Sequence, residues 1–232
     1  MPAAPHLSLQ LQTSPDLVDQ VYAALLDAIN DGTIQPGERL TQEEIAERFA
    51  VSRQPVVQAL RLLKRDGFVV DAPGRGVQAI QLDAAWITKV YEVRGALDVL
   101  ATRLAAKHRY KIDPNLLVRG RKAASGKDIQ TMIDADMKFH WAIYEGSQNP
   151  LIAQSATIHW GHVRRVMGAV FQSSELRQSV WDEHEDISKA IAAGKADRAA
   201  GLIGSHASMA SDYLVEKLGA YLSQSSSKRK AA

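Results

Sequence analysis

The spacing of apolar residues changes twice along this chain, and the changes divide it. Leu17, Val21, Ala24, Leu25, Ala28 and Ile29 fall at helical intervals, which predicts an amphipathic helix capped by Ser14 or Asp16 and stopped by Gly32. Pro36-Gly37 makes a turn, and Thr41 opens a short helix with Ile45, Ala46 and Phe49 on its inner face. Ala50-Val51-Ser52 breaks that helix. Ser52 is placed to cap a third one, with Pro55 in its first turn and Val56, Ala59, Leu60 and Leu63 as its buried stripe. After Asp66-Gly67 the pattern becomes that of strands: Phe68-Val69-Val70, a turn at Pro73-Gly74-Arg75-Gly76, then Val77 to Ile80. Three helices followed by a glycine-tipped hairpin is the order of a winged helix-turn-helix.

From Asp83 to about Leu222 the spacing is helical throughout. Asp83 caps a long helix whose predicted inner stripe is Ile87, Val90, Val93, Leu97 and Leu100. Further helices are predicted at roughly 128–147, 150–172, 175–193 and 196–221, with a weaker one near 114–124 and a stop at Gly194. The expected organisation is mostly α: a loose arm over 1–14, a winged helix-turn-helix over 15–80, an all-helical bundle over 81–222, and a disordered polar tail over 223–232.

Composition narrows the function. With 232 residues and 46% apolar content, two modest domains with ordinary cores are expected. No run approaches the length of a membrane span, and Met1 to Pro15 lacks the layout of a secretory signal. Cysteine is absent, which excludes disulfides, thiolate zinc sites and a cysteine nucleophile. A soluble intracellular protein with no membrane partner is expected. The net charge of +2 is uninformative, but its distribution is not. Residues 16–47 carry eight acidic side chains against Arg39 alone, whereas residues 51–80 carry five basic ones against Asp66 and Asp71. Cations concentrated on the element that meets phosphate are what a DNA reader needs.

The second helix of the helix-turn-helix would present Arg53, Gln54, Val57, Gln58 and Arg61 to a major groove. Arginine grips guanine bidentately, glutamine does so with adenine, and Ser52 can hold phosphate. Gly76 and its neighbours at the wing tip let Arg75 approach the backbone or minor groove. The alternative is a helical hairpin used only for protein contacts.

Residues 17–80, and above all PGERLTQEEIAERFAVSRQPVVQALRLLKRDGFV, resemble the winged-helix domain of the GntR family of regulators. The helical region resembles the FadR-type ligand domain of that family, called FCD. The usual family pattern resembles SRTPVREAL, so Val57 and Gln58 stand here for an arginine and a glutamate, while Arg53 keeps its place. The resemblance implies a cytoplasmic, nucleoid-associated transcription regulator of repressor type and not an enzyme. It further implies a homodimer on near-palindromic double-stranded operator DNA, with an operator preference altered at Val57.

In the helical region Asp136 and His140 share a face with Ile129, Ile133 and Ile143. His184 lies on a stripe with Val180, Ile187 and Ile191, and His206 on one with Leu202, Met209 and Tyr213. Such groups, turned toward a core, must meet each other, water or a metal. One carboxylate and three imidazoles suit a divalent ion such as zinc, nickel or manganese, and equally a buried Asp–His hydrogen-bond network. Many FCD domains carry a similar Asp-x3-His, later His, final His set. The resemblance therefore implies one divalent metal, zinc foremost, held by Asp136, His140, His184 and His206. Arg94 resembles the pocket arginine of the family, which implies a small organic-acid effector; a salt bridge to Glu92 or Asp98 is the other reading. His159 and His162 are expected to be exposed or capping. Three rival readings remain at this point: a metal-dependent enzyme, a regulator with a purely structural metal, and an adaptor that does not bind DNA.

Overall fold

A computed structural model describes residues 17–171 and 178–231. The first unit comprises α1 (Leu17–Asn30), β1 (Arg39–Leu40), α2 (Gln42–Arg48), α3 (Arg53–Arg65), β2 (Val69–Asp71) and β3 (Val77–Ala79). Its core joins Val21, Leu25 and Ile29 of α1 to Ile45 and Ala46 of α2 and to Val56, Ala59, Leu60 and Leu63 of α3. The Thr41 side chain accepts from the Glu44 N–H and so caps α2, whereas Ser52 takes the N-cap position of α3 without a side-chain capping bond. Ala50, in the turn between these helices, adopts φ +51°.

The strand β1 was not predicted from the sequence, because two residues are too few to show alternation. It pairs antiparallel with β3, as does β2, giving the order β1-β3-β2 with Arg39 opposite Gln78 and Val69 opposite Ala79. Its presence explains Gly76. A Cβ there would lie 2.6 Å from the Leu40 carbonyl oxygen, and the residue has φ +92°, so the wing can turn beside β1 only on a glycine.

The second unit comprises α4 (Ala84–Lys107), α5 (Pro114–Ala124), α6 (Ile129–Gly146), α7 (Pro150–Val170), α8 (Gln178–Ala192) and α9 (Ala196–Ala231). Asp83 caps α4 by accepting from the Ala85 N–H, and Gly194 turns the chain before α9 at φ +72°. The helices α4 and α9 lie along each other through small residues, with the Cβ position of Gly95 only 3.6 Å from Ala207. Among the described residues no helix is long and apolar enough to cross a membrane.

Three expectations change. The inner face of α4 carries Ile87, Val90, Tyr91, Arg94, Asp98 and Ala101, while Val93 and Leu100 are about half exposed at 50% and 45%. The buried ion pair of Arg94 and Asp98 occupies core positions, and Val93 and Leu100, which flank it in sequence, face outward. Met209 is likewise exposed, and the buried stripe next to His206 is Ile203, Ala210 and Leu214. Finally, α9 continues through Ala231, where a disordered tail was expected. A helix already nucleated gains a hydrogen bond for each residue added, so elongation does not require a core face. The predicted arm over 1–14, the caps Ser14 and Asp16 and the segment 172–177 lie outside the described residues.

The two units meet without slack. The Ile80 N–H donates to the Phe68 carbonyl at 3.0 Å, and α4 begins four residues later. The flank of α7 closes the seam. The His162 ring stacks on Phe68 (4.3 Å between centroids, 10° between planes) and meets Trp86 edge-on. Its Nε2–H donates to the Asp66 carbonyl at 3.1 Å, while the Asp66 carboxylate accepts from the Tyr22 hydroxyl of α1 at 2.8 Å. The buried Arg165 donates to the Ile80 carbonyl. At Gly161 a Cβ would come within 2.6 Å of the Phe68 ring, so glycine sets how closely α7 approaches. His162 is thus a buried seam residue and not the exposed or capping histidine expected; His159 is half-buried, with Nδ1 2.8 Å from the Ser155 carbonyl.

Candidate functional site

Ser52, Arg53, Gln54, Gln58 and Arg61 are all exposed on α3 or at its start, and Val57 is half-buried beside them. Arg53 pairs with Glu43 of α2 (Nη1 to Oε1, 3.1 Å), both side chains being largely exposed. Arg75 is exposed at the wing tip and Gly76 half-buried at its base. Two features of this surface escaped sequence reasoning. Arg39 of β1 donates from Nε to the Arg75 carbonyl at 2.9 Å and so steadies the wing tip. Lys64, near the end of α3, binds Asp71 of β2 at 2.6 Å, which ties the helix to the wing. Both depend on β1 and the hairpin register, which single residues do not reveal.

In the helical unit, α6 supplies Asp136 and His140, α8 supplies His184 and α9 supplies His206. One donor atom from each falls within 4.8 Å of all the others. His140 and His184 are fully buried, His206 nearly so, and Asp136 partly. The two imidazole Nε2 atoms of His184 and His206 stand 3.4 Å apart, and Asp136 Oδ1 lies 3.6 Å from His184 Nε2. Adjacent donors about 2.1 Å from a shared ion are separated by roughly 3.0 to 3.4 Å, so these two spacings suit a single divalent cation, and an ion of coordination number five or six would keep a position for a further ligand. His140 Nε2 is buried with no hydrogen-bond partner among the described residues, as a lone pair kept for a ligand would be. Burial lowers the His140 pKa against the opposing pull of Asp98, which favours the neutral, metal-binding ring. The donor set and its geometry fit the group.

A second layer orients these rings. Glu183 Oε2 accepts from His206 Nδ1 at 2.8 Å, which fixes the tautomer and turns Nε2 toward His184 Nε2 and the cluster. On the other side, Asp98 Oδ1 lies 3.6 Å from His140 Nδ1, accepts from the Tyr144 hydroxyl, and its Oδ2 accepts from Arg94 Nε at 3.0 Å. Trp160 Nε1 donates to the Tyr144 hydroxyl at 2.9 Å. Burial alone would raise the Asp98 carboxyl, but Arg94 and His140 beside it hold it well below the carboxylate range. The Arg94 guanidinium lies over the rings of Tyr91 and Trp160, at 4.7 and 4.2 Å from their centroids. It therefore forms the ion pair with Asp98 and also lines the cavity beside Asp136 and His206, whereas Glu92 is exposed elsewhere. Sequence reasoning named Asp98, together with Glu92, as an alternative salt-bridge partner of Arg94. Glu183, Tyr144 and Trp160 carried no signal of that kind.

Comparison with known proteins gives a consistent result. Residues 17–78 match the family described as bacterial regulatory proteins, gntR family, and residues 89–209 match the FCD domain. The chain is 32% identical over 135 residues to the HTH-type transcriptional regulator YdhC of Bacillus subtilis (strain 168), an alignment spanning 56% of this chain and 60%, less than two thirds, of that relative. It is 28% identical over 207 residues to the Nta operon transcriptional regulator of Aminobacter aminovorans, covering 85% of this chain and 96% of the other. Its fold is similar to that of E. coli McbR/YncC, with a TM-score of 0.76 at 19% identity over 88% of this chain and 100% of that one.

Proposed function

The chain belongs to the GntR family, with an FCD domain behind its DNA-reading head, and from that premise we propose that it is a transcription regulator whose operator affinity answers to a small carboxylate held at a divalent-metal centre. Asp136, His140, His184 and His206 would hold the ion, zinc foremost, with nickel or manganese also suited to the donors. When bound, the ion supplies a Lewis-acidic position for a carboxylate oxygen. Arg94 offers the second handle for that carboxylate, held in place by Asp98 and by its two aromatic neighbours.

The observation that carries this reading is the convergence of four donors from three helices, which exists in only one packing of α6, α8 and α9. A ligand that prefers this packing over another shifts the equilibrium between them by its difference in affinity. The helix α4 carries Arg94 and begins at the wing, so it is the element through which such a shift would reach the DNA-reading heads. On the reading surface, Ser52, Arg53, Gln54, Gln58, Arg61, Arg75 and Gly76 are the proposed contacts to a near-palindromic operator. A homodimer is proposed to present two copies of them. Trp86, Val93 and Leu100, exposed on α4 at intervals of seven, support a second copy packing along that helix.

The test replaces His184 or His206 with Ala. Each variant should lose bound metal and its operator response to the effector while keeping effector-free DNA affinity. Metal-free wild-type protein that still responds fully would refute the mechanism. Chelation that unfolds the helical unit, with no response to any acid, would leave the ion a structural role alone.

A further inference from the structure

The walls of the cavity identify the kind of acid it takes, granted the carboxylate reading above. Among the described residues, the charged and hydroxyl-bearing groups that line it all stand beside the metal ligands: Tyr91, Arg94, Asp136 and His206. From that layer each helix steps onto apolar wall. On α6, Met132 and Ile133 lie one turn before Asp136; on α8, Trp181 lies one turn before His184; on α9, Leu214 lies two turns beyond His206, roughly 12 Å along the axis. Met167 and Phe171 of α7 contribute further apolar wall. A hydroxyl or second carboxylate on the ligand, carried away from the ligand layer, would thus be stripped of water against methyl, thioether and aromatic carbon. The cavity is also small, about 60 Å³, which by the room one water needs accommodates roughly four to six water-sized groups.

We propose that the effector is a monocarboxylate with a compact apolar body, about the size of butanoate, its carboxylate on the ion and Arg94 and its hydrocarbon end against Met132, Met167, Phe171 and Leu214. Polyhydroxylated acids and dicarboxylates of equal length would meet no polar partner among the described residues of that end, so the apolar end disfavours them and the head does not.

The experiment uses the full chain loaded with zinc and three probes that share a four-carbon frame and differ at the far end: butanoate, 4-hydroxybutanoate and succinate. Calorimetric titration should give butanoate an affinity at least tenfold above either of the others. Succinate or 4-hydroxybutanoate binding as tightly as butanoate overturns the assignment of the apolar end and leaves the carboxylate reading standing. Failure of all three to bind protein that demonstrably holds zinc overturns the carboxylate reading itself. Met167→Gln, at a half-buried position of the wall, should reduce the preference for butanoate over 4-hydroxybutanoate with zinc content unchanged. An unaltered preference would place the hydrocarbon end elsewhere.

Discussion

Acidification should loosen the seam between the two units, and His162 is the group through which this happens. Burial between Phe68 and Trp86 draws its pKa down from 6.5 to about 4, against a smaller opposing effect of the Asp66 carbonyl. The unfolded chain therefore binds the proton near the ordinary histidine value, and the folded chain only near 4. The stability that the neutral ring contributes is complete above the ordinary value and is lost as pH falls toward 4. Over the whole window the loss is about 3 kcal/mol, and at about pH 5 it is about 2 kcal/mol. His162→Phe keeps a ring stacked on Phe68 but removes both the titrating group and the 3.1 Å hydrogen bond, at a cost of about 1 kcal/mol near neutrality. The order of stability should accordingly invert, with wild type ahead at about pH 7.5 and the variant ahead at about pH 5. Urea denaturation followed by tryptophan fluorescence measures this, and Trp86, 5.9 Å from the imidazole, reports directly on the seam. His140, His184 and His206 are common to both proteins, so the difference between the two isolates His162. Parallel pH dependence in wild type and variant would refute the reasoning.

Arg53→Ala should weaken operator binding by about 1–3 kcal/mol and lower the salt slope by about 1, and Glu43→Gln should tighten binding by freeing Arg53; fluorescence anisotropy at several salt concentrations reads both, and unchanged affinity in Arg53→Ala removes α3 from the reading role. Glu183→Gln should lower zinc affinity about 10- to 100-fold with the fold retained, as measured by chelator competition; undiminished affinity would mean that the bond to His206 does not orient a ligand. Val93→Glu combined with Leu100→Glu should give a monomer at micromolar concentration by light scattering, and a persistent dimer would move the interface off the outer face of α4.

Much of the architecture was legible because period and punctuation agree locally. Thr41 and Asp83 cap the helices that follow them, Gly32 and Gly194 end the helices that precede them, and the four metal-type side chains stood out as polar residues on apolar stripes. The same logic failed on α4. There the core positions are taken by Arg94 and Asp98, which satisfy each other, so a search for apolar residues selected Val93 and Leu100 from the opposite face. It failed again on α7, where nearly the whole circumference is buried between residues 160 and 166, one side by the bundle and the other by the DNA-reading unit. Polar residues such as His162 and Arg165 are buried there because a second unit happens to dock on them. No local pattern encodes that event.

The absence of slack between β3 and α4 bears on how such regulators can be recombined. Exchanging the head of one protein for that of another is usually imagined as a cut in a connecting loop, yet here the connection is itself clasped: Ile80 is bonded on its N–H side to Phe68 and on its carbonyl side to Arg165. A chimera joined at residue 81 would graft a foreign surface onto Trp86, Gly161, His162 and Arg165, and a bulkier side chain than Phe68 would find no room against Gly161. Sensors and readers of this design are interchangeable only when the residues of the clasp travel with the head, which makes that small set, more than the domain boundary, the unit of transfer.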